Sequence, residues 1–205
     1  ENGATQYMTA GSGVLHIETP PDELVMSGGF FHGIQLWINL PASKKMSAPN
    51  YQNLAGGDVE LLSSQDGGAL IRVIAGEIDG HVGPGKSQTP MTIAHVTLAP
   101  GASVSIPWNP EFNALAYTLA GQGSVGEGEL GGSAAPITAG TLAVMVDGDR
   151  VVLTADKVQD ARNGALDVLL LGGQPINETV VAYGPFVMNT KAEVVKALED
   201  LNYGR

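Results

Sequence analysis

His16 and Glu18 are the side chains in this 205-residue sequence whose types and spacing best suit metal chemistry. In a strand, residues i and i+2 point to the same face, so an imidazole nitrogen and a carboxylate oxygen would project together. Nitrogen and oxygen donors of this kind suit a first-row divalent metal and leave exchangeable coordination positions. The same pair also fits an exposed strand edge on which His and Glu merely share a face, since two ligands do not make a site. A short internal repeat sharpens the contrast. Gly3-Ala4-Thr5-Gln6-Tyr7-Met8-Thr9-Ala10-Gly11 can be laid on Gly140-Thr141-Leu142-Ala143-Val144-Met145-Val146-Asp147-Gly148, with both glycines and the methionine coinciding. Carried onward, the alignment sets His16 on Leu153 and Glu18 on Ala155. Two copies fit a duplicated domain in which only one keeps the polar pair.

The remaining chemistry-bearing residues read more plainly. His32 precedes an apolar run and suits a hydrogen-bonded core or pocket-edge position. His95 alternates with apolar neighbours and reads as one strand face, while His81 lies in a Gly-rich, solvated loop. Gly121-Gln122-Gly123-Ser124-Val125-Gly126 fits the dinucleotide pattern, but Glu127 follows and no amphipathic helix does. A β-turn is the expected outcome, not a phosphate cradle. Trp37 and Trp108 read as packing residues.

The elements that must position these residues are short. Gly 28 and Pro 12, with 43% hydrophobic and 15% charged residues, describe a well-buried chain with many tight turns. Apolar or alternating runs at 14–17, 34–40, 59–62, 70–75, 93–98, 114–119, 142–146, 150–154 and 166–171 are the expected strands. Their recurrence between turn signals favours a β-sandwich over βαβ units. Thr190-Lys191-Ala192-Glu193 is a capping box, followed by an apolar stripe of Val194, Val195, Leu198 and Leu201 and a stop at Gly204. This terminal helix is expected to dock on the sandwich. Residues 41–49, framed by two prolines, are the expected linker.

A net charge of −11 repels phosphate, which argues against direct nucleic-acid or anionic-membrane binding. Zero cysteines exclude disulfides, thiolate zinc sites and cysteine nucleophiles. No apolar run approaches the roughly 20 residues of a membrane span, and no basic-then-apolar leader opens the sequence. A cytoplasmic protein is the expectation.

Several longer stretches carry a family signature. They are Met8-Thr9-Ala10-Gly11-Ser12-Gly13-Val14-Leu15-His16-Ile17-Glu18, then His32-Gly33-Ile34-Gln35-Leu36-Trp37-Ile38-Asn39-Leu40-Pro41. Lys45-Met46, Pro49, Tyr51-Gln52 and Gly184-Pro185-Phe186-Val187-Met188-Asn189-Thr190 follow in order. Over nearly its whole length the sequence resembles the pirin family of the cupin superfamily. The resemblance implies an all-β bicupin, two cupin β-sandwich barrels, here with the first incomplete and with a C-terminal helix. It implies a mononuclear metal, usually iron or another divalent transition metal, held in the N-terminal barrel by three His and one Glu. His16 and Glu18 match the later His-x-Glu pair of that set, whereas the family's earlier His-x-His has no match here. The expected division is 1–48 for the remainder of the N-terminal cupin, 49–188 for a C-terminal cupin without metal ligands, and 189–205 for the helix. In that second barrel the general cupin ligand slots fall on Pro107, Asn109 and Leu153. The implied function is oxidation of flavonols by O2, of the quercetin 2,3-dioxygenase type. His16 would be a metal ligand, and Glu18 both a ligand and the base that takes the flavonol proton. The alternative is a metal- or redox-responsive regulator that binds a transcription factor or metabolic enzyme. Implied partners are a flavonol-like small molecule, a protein partner, and a separate N-terminal fragment of the same protein completing the half-site.

Overall fold

Val, Ile, Leu and Ala set between Gly, Pro and Asp dominate the middle of the chain, and in the computed structural model most of these runs are strands. The structure describes residues 3–127 and 134–204. The first elements are β1 (Thr5–Thr9), α1 (Asp22–Ser27), α2 (Ala42–Lys45), β2 (Asn50–Leu54), β3 (Glu60–Ser63) and β4 (Ala69–Ala75). A small hairpin of β5 (Glu77–Ile78) and β6 (His81–Val82) leads to β7 (Met91–Leu98), β8 (Ser103–Pro107), β9 (Asn113–Ala120) and β10 (Gln122–Val125). β11 (Ala135–Thr138), β12 (Leu142–Met145), β13 (Arg150–Ala155) and β14 (Leu166–Gly173) follow. β15 (Val181–Tyr183), β16 (Phe186–Met188) and α3 (Lys191–Tyr203) come last. Among the described residues, no helix is long and apolar enough to cross a membrane.

These elements form two compact units, one of the residues up to Tyr7 with Tyr51–Pro175, the other of Met8–Asn50 with the residues from Ile176 on. The first is a β-sandwich barrel. Its larger sheet runs β12-β9-β14-β7-β4-β3 and its smaller one β11-β10-β13-β8, with antiparallel pairing within both. Alternation along each strand sends one set of side chains into the space between the sheets. Val73, Val96, Leu98, Val168 and Leu170 enter from the large sheet and meet Ile106, Val125, Ile137, Val151 and Leu153 from the small one. The expected all-β cupin architecture with a terminal helix is therefore present. The glycine pattern at 121–126 falls on β10, where a Cβ at Gly123 would lie 2.1 Å from the Thr154 carbonyl oxygen. That glycine admits a close strand approach, so the segment expected as a β-turn is largely a strand instead.

The outward face of the large sheet carries a polar cluster that sequence reading reduced to a single histidine. Asp167 Oδ1 accepts from Thr97 Oγ1 at 2.7 Å, Thr97 Oγ1 in turn accepts from Arg72 at 3.4 Å, and Asn163 donates to Asp167 Oδ2. His95 Nε2 stands 3.2 Å from Asp167 Oδ1, an ion-pair distance at which the N–H is poorly aligned with the oxygen. Burial pushes the Asp167 carboxyl up, but the contacts from His95, Thr97 and Asn163 outweigh it and hold its pKa below the usual value. A depressed carboxylate stabilises the fold above its unfolded pKa of about 3.9, and that contribution is lost as pH falls through the folded value. Asp167→Asn should therefore cost about 1–3 kcal/mol near pH 7. The cost should shrink as pH falls below about 3.9 and on through the lower folded pKa, where the carboxyl becomes neutral. Urea midpoints across that range test this, and an equal cost at both ends would remove the charge from the account.

The second unit is only partly regular. Runs 14–17 and 34–40 were expected to be strands, but neither forms one. A strand needs a neighbour for its N–H and C=O groups, and among the described residues none is paired with either run. Leu15 and Ile17 are consequently 86% and 90% exposed. Residues 41–49 are not a bare linker, because they contain α2 and the buried Lys45. α3 begins with the expected capping box and ends on Gly204 in the left-handed region. Its stripe is buried only at Val194, with Leu198 half-buried and Val195 and Leu201 exposed. The surface it docks on is the β15–β16 hairpin of its own unit, which revises the expectation that it docks on the sandwich.

Candidate metal centre

His16 and Glu18 lie on an irregular segment between the turn at Gly13 and helix α1. His16 Nδ1 is 3.9 Å from Glu18 Oε1, so the two side chains do project together. Gln35 Nε2 donates to Glu18 Oε2 at 3.4 Å, which occupies one carboxylate oxygen and leaves the other toward the imidazole. All three side chains are exposed. One nitrogen and one oxygen donor fit half the shell of a divalent transition metal. Among the described residues, no group of three or more His, Cys, Asp or Glu gathers as a metal set.

The other histidines do not extend this pair. His32, expected at a core or pocket edge, is exposed on an irregular segment without strand partners. His81 stands on β6, exposed, with Nδ1 2.9 Å from Glu60. Trp108 is packed in the barrel core, whereas Trp37, expected to pack, is largely exposed.

The residues that the internal repeat aligns with this pair lie in the first unit. Leu153 is 0% exposed and Ala155 is also buried, both inside the sandwich on β13. The residues aligned with them are His16 and Glu18, and the aligned segments Thr5–Thr9 and Leu142–Met145 are both strands. The slots assigned to Pro107 and Asn109 need correction. Both are exposed, and alternation along β8 turns Ile106 and Trp108 inward instead. Ile106, Trp108 and Leu153 are all part of the barrel core.

Sequence reasoning passed over one buried charged residue of the same unit. Lys45 is only 7% exposed, and its ammonium meets Asn39 and the Val187 carbonyl. Adjacent Lys44 and Lys45 look like an ordinary solvated pair. The available signal was that Asn39, Lys45 and Val187 each fall within one of the family-like stretches.

Comparison with known proteins adds four findings. The profile of the pirin C-terminal cupin domain matches residues 93–205. Pirin-like protein 2 of Arabidopsis thaliana is 38% identical over 204 residues, which is 99% of this chain and 60% of that protein. Human pirin is 34% identical over 198 residues, covering 97% of this chain and 63% of its own length. A crystal structure of quercetin 2,3-dioxygenase from Acinetobacter baumannii superposes with a TM-score of 0.88 at 33% identity. That match covers 98% of this chain and 66% of the other. The chain thus spans less than two thirds of the length of these relatives.

Proposed function

The chain belongs to the pirin family of cupins, and from that premise we propose that it supplies half of a divalent-metal centre, iron in our reading, that oxidises a flavonol-like substrate with O2. The observation that carries this reading is the His16–Glu18 pair, which shares a face and aligns with positions that point into the completed second barrel. His16 would offer an imidazole nitrogen and Glu18 a carboxylate oxygen, and the rest of the shell would come from the part of the family's length this chain does not span. When bound, the metal supplies positive charge that acidifies a nearby hydroxyl and a redox centre for O2 chemistry. Gln35 holds Glu18 Oε2 and His16 stands 3.9 Å from Oε1, and this fixed carboxylate supports a reading in which Glu18 also takes the flavonol hydroxyl proton. The structural resemblance to a quercetin 2,3-dioxygenase supports the substrate class. An acidic, cysteine-free chain also suits a reducing cytoplasm.

Oxygen uptake with quercetin tests the reading, with and without Fe2+, using the chain joined to the N-terminal residues its full-length relatives carry. Iron-dependent uptake that disappears in His16→Ala is expected. Uptake absent under all conditions, or unchanged by His16→Ala, would overturn it.

A further inference from the structure

The loop bearing His16 and Glu18 is closed at its base by one short segment. At its start the Ser12 amide donates to the Ser47 carbonyl at 2.8 Å. Just before it, Gly11 has φ of +54° and a Cβ there would lie 2.1 Å from the Ser47 oxygen, an approach that only glycine allows. At the loop's far end Asn39 Oδ1 accepts from Lys45 Nζ at 2.6 Å. Both anchors belong to the end of α2 and the turn after it. That segment is in turn held by the C-terminal arm. Lys45 Nζ also donates to the Val187 carbonyl on β16 at 3.0 Å, and the Ala42 amide donates to the Glu178 carboxylate at 2.7 Å. Glu178 is itself fixed by Asn189 Nδ2 at 2.8 Å, next to the Thr190–Glu193 cap of α3.

A buried ammonium is costly unless its donors are met. Here two donors find neutral oxygens, one on each side of the clasp. Burial pulls the Lys45 pKa below the ordinary lysine value, while the charges of Glu178 and Glu193 work the other way. Because both direct partners are acceptors, an apolar side chain of similar length would leave two shielded oxygens without a donor.

We propose that Lys45 is a positioning residue whose ammonium couples the C-terminal arm to the base of the loop carrying His16 and Glu18, so that the arm sets where the pair is held. Gln35, which holds Glu18, lies four residues before Asn39 in the chain. The functional meaning rests on His16 and Glu18 being metal ligands, but the coupling itself needs no metal.

Amide hydrogen exchange on the whole chain without added metal tests it. K45M should speed exchange at Ser12, Lys44, Lys45 and Ser47 and across β16 together, by about tenfold or more. β7 and β14 should keep their protection. K45R retains a charged donor and should restore most of the loss, which separates the charge from simple packing. N39A cuts only the loop side, so Ser12 and Ser47 should exchange faster while β16 stays slow; this variant decides the matter if K45M does not fold. The proposal is overturned if K45M loosens β16 but leaves Ser12 slow, if K45R is as loose as K45M, or if N39A changes nothing. Loss of protection in β7 and β14 would likewise overturn it. Absence of metal binding at His16 would count against the metal reading alone and leave this pattern standing.

Discussion

Replacing His16 by alanine is expected to remove most of the Fe2+ affinity of the protein once the family's N-terminal residues are joined to it. Loss of a group that merely stands behind a ligand typically costs 10–100-fold in metal affinity. His16 is proposed as a ligand itself, so its removal should cost more than roughly 100-fold. The 205-residue chain by itself presents one nitrogen and one carboxylate donor 3.9 Å apart. Water would complete most of the shell around such a pair, and binding should be weak. Calorimetric titration of the chain, the joined form and its His16→Ala variant checks all three expectations. Equal, tight binding by the chain alone would refute the half-site. Unchanged affinity in the variant would remove His16 from it.

The second large effect lies at the aligned position in the other barrel. Leu153 contributes to the core between β8 and β10, where truncation leaves a cavity the packed sheets cannot close. Leu153→Ala should destabilise the first unit by about 2–5 kcal/mol, read as a lower urea midpoint with little change in slope. A loss below about 0.5 kcal/mol would mean that the core relaxes around the gap. The two substitutions thus make opposite trades at aligned sites, one costing affinity and the other stability.

Much of the first unit could be read from its residues. β4, β7, β9, β13 and β14 are dense in Val, Ile, Leu and Ala and sit between turn residues, and each appears within about two residues of its expected ends. The strands passed over are those whose own sequence argues weakly. β8 alternates serine with Val104 and Ile106 and ends on a proline, and β10 carries Gly123 in its middle. Their pairing with β13 supplies what local propensity lacks. The reverse holds at 14–17 and 34–40, where apolar pattern is strong and, among the described residues, neither run has a paired neighbour. Pattern records a tendency to be buried, while a ladder also needs a second strand. The His16–Glu18 pair was legible because the two side chains, only two positions apart, approach to 3.9 Å even without a strand. Lys45 was not, because burial of a lysine depends on Asn39 and on Val187, a partner 142 positions away.

The placement of the tryptophans has an optical consequence. The sequence holds two, and each belongs to a different unit. Trp108 is 7% exposed with its indole N–H on the Asn113 carbonyl, an environment that shifts emission to shorter wavelength. Trp37 is 63% exposed and emits as an indole in water. Unfolding of the barrel therefore reddens the spectrum, while loosening of the other unit barely moves it. A Trp37→Phe variant isolates the barrel signal entirely. Fluorescence and far-ultraviolet dichroism then coincide only if both units melt as one cooperative body.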